Sequence, residues 1–327
     1  MIRGERTPAP SAKNYTGKAD ARSRELEAFH SLGQDKLTGT ILRGKQGSYS
    51  VQGRITEGGM STIYLATCLD GECSNKKVVI KLTNAQLDLN GGFLKGEGEG
   101  LGRVDHRNIM KILDEGVYDD GFADTAFLVL EHLEGETLSQ LLQKGGAVSL
   151  ERACAIFIQL CDALAAVHAA GMIHCDVKPG NIFLTKEAEQ GEIAKLFDFG
   201  LVMFARKVKP DGILRGTGDY IAPEIMRDEI YDNRVDIYAA GVTMYEMLTG
   251  ELPFNSDSMY SLLEQVSAGG LPIPLRARKA DIPVEVEEMV MRALEKDPAK
   301  RFQTAKEMKS AILAVMAASG IMSPGEV

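Results

Sequence analysis

An acid, a lysine two residues on and an asparagine five residues on stand together in IHCDVKPGNIFL (173–184) as Asp176, Lys178 and Asn181. That set suits phosphoryl transfer, a reaction in which positioning and charge neutralisation are most of the work. Further on, KLFDFG (195–200) closes an apolar run with Asp198. A carboxylate leaving a strand just before Phe-Gly is suited to hold Mg²⁺ across phosphate oxygens. Earlier in the chain, VVIK (78–81) ends a β-branched run in Lys81. An ammonium inside an apolar strand is costly unless paired, although at a sheet edge it could snorkel to water.

The elements that must position these groups divide into two halves. From Tyr49 to Leu130 the pattern is strand-like, with SYSVQGRI, STIYLATCL, KKVVIKLT, IMKILDEGVY and AFLVLEH separated by turn residues such as Asp70-Gly71 and Asp120-Gly121. One helix-like segment, about 90–104, interrupts them. From Thr137 onward the pattern is helical. Ser149 is a candidate N-cap, and the apolar face after it runs Ala153, Ile156, Phe157, Leu160, Leu164, Val167. A strand-rich half followed by a helix-rich half predicts two lobes with a crevice between them.

Composition bounds the rest. The 327 residues carry 37 Lys+Arg against 46 Asp+Glu, a net charge of −9. Such a body argues against general nucleic-acid binding, which needs cations to neutralise phosphates. No apolar run is long enough to span a membrane, and MIRGERTPAP lacks the apolar core of a secretory signal. Five cysteines, an odd and low count in a chain that needs no staples, point to a reducing, cytoplasmic setting. Cys68 and Cys73 flank a strand turn, a placement open to redox chemistry, and Cys154 and Cys161 share a helix face. The first 48 residues hold nine Lys/Arg and five Asp/Glu, and they read as a flexible basic extension.

Taken in order, these segments resemble a bacterial eukaryotic-type serine/threonine protein kinase, whose signature set is a well-described case of phosphoryl-transfer machinery. The resemblance runs from about Tyr49 to Met316. It implies an α+β, bilobal protein-kinase-like fold, with an antiparallel N-lobe sheet plus one helix and a mainly helical C-lobe. The expected divisions are an extension at 1–48, the N-lobe at 49–132, the C-lobe at 133–318 and a tail at 319–327. It further implies ATP and Mg²⁺ (or Mn²⁺) as cofactors and protein substrates bearing Ser or Thr.

Roles follow from the same resemblance. Asp176 would accept the substrate hydroxyl proton, Lys178 would steady the transferring group, and Asn181 and Asp198 would ligate the metal. Lys81 would bridge the α/β-phosphates and a helix glutamate. That glutamate is assigned to Glu97, nine residues before His106, with Glu99 the weaker choice about 200° away around a helix. Thr217, in GTGDYIAPE, would bond the catalytic Asp and Lys. Glu224 would pair with Arg301, and Asp236 would anchor the catalytic loop from below. The nucleotide would contact Ile55, Gly58, Gly59, Ser61, Ile63 and Val79 above, Phe183 below, Leu130 at the back, and backbone from Glu131 to Leu133.

This chain also departs from the family. In ITEGGMSTIYLA the family's first and third loop glycines fall on Thr56 and Ser61. Cys175 stands where many members carry an arginine that grips a phosphate, and LVMFARKVKPDGILR (201–215) has no Ser, Thr or Tyr. A kinase of non-RD type, independent of activation-loop phosphorylation, is therefore expected. Arg206, Lys207, Lys209 and Arg215 are free in principle for an acidic surface. Gly96, Gly98, Gly100 and Gly102 weaken the Glu97 helix by roughly 0.8–1.0 kcal/mol each, so nucleotide, the N-terminal extension, a regulatory partner or self-association is expected to order it. Thr7, Ser11, Thr16 and Ser23 are autophosphorylation candidates. The competing view is a catalytically weak pseudokinase acting as an ATP-binding scaffold, suggested by the eroded glycine loop.

Overall fold

The computed structural model describes residues 37–58, 61–83, 104–119, 124–187, 191–204, 207–209, 211–212, 214–254, 256, 258–267 and 270–321. The expectations for Gly59, for Glu97 and its glycine-rich helix, for Arg206 and for the leader hydroxyls lie outside those residues.

Strand chemistry builds the first half. β1 (Ile41–Arg43), β2 (Ser48–Glu57), β3 (Ser61–Cys68), β4 (Lys77–Thr83), β5 (Ile112–Asp119) and β6 (Asp124–Glu131) form one antiparallel sheet in the order β1-β2-β3-β4-β6-β5. Alternation decides the faces. On β3, Tyr64, Ala66 and Cys68 enter the core with Val78 and Ile80 of β4, leaving the intervening residues for the other face.

Two expectations are corrected by this sheet. The lobe does not begin at residue 49, because β1 and the buried Leu37 and Leu42 belong to its sheet and core. Asp114 explains how so short a segment is held. Its buried carboxylate accepts the N–H groups of Lys45, Gln46 and Gly47 and the Tyr49 hydroxyl. The chain also has one staple, since Cys68 and Cys73 are joined as a disulfide across the Asp70-Gly71 turn.

The second half contains α1 (Leu138–Gly145), α2 (Leu150–Ala169), α3 (Pro223–Met226), α4 (Arg234–Thr249), α5 (Met259–Ser267), α6 (Leu275–Arg278), α7 (Val284–Ala293) and α8 (Ala305–Ala318). A small antiparallel sheet of β7 (Gly135–Thr137), β8 (Ile182–Glu187) and β9 (Gly191–Leu196) lies among them. Ser149 caps α2 by accepting the Arg152 N–H, and Thr137 makes a full capping box with Gln140 on α1. α4 is buried nearly all round, as suits a helix at the centre of a core. Gly241 lets it lie against α7, where an added Cβ would meet the Ala293 Cβ at 2.8 Å. The halves are tied by backbone: Ile109 bridges Leu196 in parallel, and the Met110 N–H donates to the Leu196 carbonyl at 3.0 Å. Among the described residues no helix is long and apolar enough to cross a membrane.

Candidate active site

β4 delivers the upper wall. Val79 and Lys81 occupy the face opposite Val78 and Ile80. The register places Ile63 and Leu128 beside Lys81, and Leu65 and Leu130 beside Val79. Val79, Leu133, Phe183 and Phe197 pack with Met110, Leu128 and Leu130 in one apolar cluster. Phe183 and Phe197 meet edge to face, with centroids 6.5 Å apart. Ile55 is exposed. The Gly58 N–H donates to the Ser61 carbonyl at 2.9 Å and closes the β2–β3 hairpin. Glu131, where the two halves join, accepts Lys195 Nζ and the Lys111 N–H, both at 2.8 Å. Its own N–H is used on the Lys111 carbonyl at 3.1 Å.

Below, the loop after α2 gathers four predicted residues. The Asp176 carboxylate is buried, and Lys178 Nζ donates to its Oδ2 at 2.7 Å. Asn181 Nδ2 donates to the same Oδ2 and to the Asp176 carbonyl, each at 2.8 Å. The Thr217 hydroxyl donates to Asp176 Oδ1 at 2.8 Å and in turn accepts a short hydrogen bond from Lys178. The Phe197 N–H donates to the Asn181 carbonyl at 3.0 Å, which sets the strand end bearing Asp198 beside this loop.

Lys81, drawn from the other half, reaches Asp198 with Nζ 2.7 Å from Oδ1. Burial alone would raise the Asp198 carboxyl, but the Lys81 ammonium outweighs it and holds the group below its ordinary range. Asp198 and Cys175 both adopt left-handed backbone, with φ of 63° and 65°. Non-glycine residues there store about 1–3 kcal/mol each, a strain that persists only where the surrounding structure over-determines the geometry.

The loop is held from beneath. Asp236, fully buried on α4, accepts the N–H groups of His174 and Cys175 at 2.9 Å each, and meets His168 Nε2 at 2.8 Å. Burial would raise this carboxyl too, yet those bonds keep it below its ordinary 3.8. His174 lies inside IHCDVKPGNIFL, where the motif reading gives it no role. Its Nδ1 accepts the Asp176 N–H at 3.2 Å, its Nε2 lies 3.2 Å from the Phe197 carbonyl, and its ring meets Phe199 edge to face at 4.6 Å. It thus joins the catalytic-loop segment to the Asp198 segment. A polar ring inside the apolar run MIHC was the signal available. Asn108 is likewise given no role by spacing, and is a buried amide bonding Gln159 and the Ala194 carbonyl.

The same geometry closes the C-lobe. Arg301 Nη1 and Nη2 each lie 2.7 Å from an oxygen of Glu224. The protein kinase domain model matches residues 49–312, the stretch that carries these motifs in order. The chain belongs to the protein kinase domain family. Within that family this kinase domain is 36% identical over 291 residues to the serine/threonine-protein kinase pkn2 of Myxococcus xanthus, covering 85% of this chain and 34% of that one. It is 32% identical over 265 residues to PknB of Mycolicibacterium smegmatis, covering 79% and 41%. To PknL of Mycobacterium bovis it is 34% identical over 291 residues, covering 86% and 68%. The kinase domain therefore resembles bacterial serine/threonine kinases in particular. It spans between about a third and two-fifths of the length of the first curated relatives it matches, 38%, 34% and 41%.

Proposed function

We propose that this domain transfers the γ-phosphoryl group of ATP to Ser or Thr hydroxyls of proteins, itself included. The observation that carries the proposal is the convergence of Lys178, Asn181 and Thr217 on the Asp176 carboxylate, with Lys81 and Asp198 paired close by. The donor set fits a nucleotide with a divalent metal. Asn181 commits its Nδ2 to Asp176 and retains its amide oxygen, and Asp198 offers a carboxylate kept charged by Lys81. One amide and one carboxylate suit Mg²⁺, which completes its shell with phosphate oxygens and water. When bound, the metal would neutralise charge developing on the phosphates.

The chain's own residues divide the remaining work. Asp176 would orient the acceptor hydroxyl and take its proton. Lys178, already on Asp176, would face the transferring group as a fixed cation. Thr217 would tie the substrate-side loop to both. Lys81 would exchange its Asp198 contact for phosphate oxygens. Val79, Leu130, Leu133 and Phe183, which share one apolar cluster, would take the adenine, with Ile63 beside Lys81 and with Ile55, Gly58 and Ser61 above it. Backbone from Glu131 to Leu133 would bond the base, with the Glu131 carbonyl as that residue's share since its N–H is used on Lys111. Independence from activation-loop phosphorylation is part of the proposal, since residues 201–215 supply no hydroxyl.

Incubation of the protein with labelled ATP and Mg²⁺, beside Asp176→Asn and Asp198→Asn, tests this. Transfer by the parent and by neither variant is expected. Equal label in all three would overturn the proposal. Nucleotide binding without transfer in the parent would favour the scaffold instead.

A further inference from the structure

Arg215 forms a two-pronged pair with Asp211, with Nη1–Oδ1 at 2.8 Å and Nη2–Oδ2 at 2.6 Å. An exposed pair at this spacing is usually worth little. Here the Arg215 side chain is 14% exposed and that of Asp211 40%, and the geometry is the bidentate one that strengthens such pairs. Cys175, Tyr231 and Arg215 are close enough to act on one another electrostatically. Two described residues before it bond to the chain around Tyr231. Val208 and Tyr231 exchange both backbone hydrogen bonds, at 2.8 and 3.1 Å, and the Gly212 N–H donates to Asp228 Oδ1 at 3.2 Å.

Directly after Arg215 the chain enters the candidate site. Gly216 has φ of 112°, and a Cβ there would stand 3.0 Å from the Cys175 carbonyl. Thr217 comes next, with its hydroxyl on Asp176. The pair therefore lies immediately before the residue that touches the Asp176 carboxylate. In switchable kinases a phosphate brings the charge that orders this segment through an arginine. Residues 201–215 lack the hydroxyl and position 175 lacks the arginine, yet a carboxylate and a guanidinium are already bonded there.

We propose that Asp211 and Arg215 are positioning residues for phosphoryl transfer, a permanent charge pair that holds Gly216-Thr217 on Asp176 in place of a regulated phosphate. The proposal rests on the kinase activity proposed above and names how its site stays assembled. A carboxylate cannot be removed by a phosphatase and a guanidinium does not titrate near neutrality, so the segment has no off position of this kind.

Asp211→Asn removes the charge at constant size, and Asp211→Glu restores it. With dephosphorylated casein as acceptor, kcat/KM for the Asn variant is expected to fall about tenfold, the modest end of coupling between a switch and its site. KM for ATP should stay within about twofold. The Glu variant should recover most of the loss, and Arg215→Lys, with one prong left, should lie between. Amide exchange across 214–221 should quicken about tenfold in the Asn variant, in step with the activity. Unchanged exchange in Asp211→Asn, or equal impairment of Asn and Glu variants, would overturn the pair. A parent that transfers no phosphate would defeat the kinase proposal, while the exchange comparison would still decide this one.

Discussion

Glu224 and Arg301, 77 residues apart in sequence, form a bidentate ion pair with side chains 3% and 0% exposed. Arg301 also donates to the carbonyls of Glu295, Arg234 and Lys296 and lies over the Tyr238 ring at 4.9 Å. Every donor is committed, so the pair is a keystone between the α3 loop, α4 and the segment before α8.

Removing one partner leaves a buried charge uncompensated. Glu224→Ala or Arg301→Ala should each lower unfolding free energy by about 3–5 kcal/mol. Urea denaturation followed by circular dichroism measures this, and a loss below about 1 kcal/mol would show that water reaches the site.

The N-terminal segment should matter for stability although the family match starts at 49. Beginning the chain at residue 49 removes β1, Leu37 and Leu42 and leaves the buried Asp114 carboxylate without three N–H donors. A melting temperature several degrees lower is expected, since burying one leucine alone contributes about 1.5–3 kcal/mol. Asp114→Ala in the full chain should move in the same direction.

Thr217 bridges Lys178 and Asp176. Thr217→Ala should reduce transfer about 100-fold by letting the two groups drift, while Thr217→Ser should stay near the parent. Steady-state rates with casein decide, and a Ser variant as poor as Ala would point to the methyl group instead.

Stability should fall toward acid in two stages. His174 is buried, and this pushes its ring below 6.5 against the pull of Asp236, Asp176 and Asp198. Below 6.5 the unfolded chain gains a proton that the native state refuses, at up to about 1.4 kcal/mol per pH unit. Asp236 acts lower down. Its native pKa lies below 3.8, so its contribution is whole above 3.8 and drains away as pH falls beneath that value. Urea midpoints at about pH 7.5 and 5.5 should differ less for His174→Gln than for the parent. Matching differences would refute the assignment.

Much of the architecture was legible because periodicity reports burial directly. β2 to β6 fall on the runs read as strands, and α2 begins at the Ser149 cap with the apolar face from Ala153 to Val167 inside. β1 was missed because three residues with one buried side chain carry no period. The Cys68–Cys73 bond was missed because composition cannot say which sulfurs face one another across a turn.

The candidate catalytic residues were legible by spacing: Asp176, Lys178 and Asn181 lie within one loop, so local sequence nearly determines their relation. Sequence also determined what the activation segment lacks, since a missing hydroxyl needs no coordinates. Only the tertiary structure decided which distant groups gather around that loop. Lys81 meets Asp198 because a sheet and a loop from different halves converge, His174 joins two segments through its ring, and Arg215 finds Asp211. Such contacts depend on three-dimensional direction, and a linear spacing does not encode where a side chain ends.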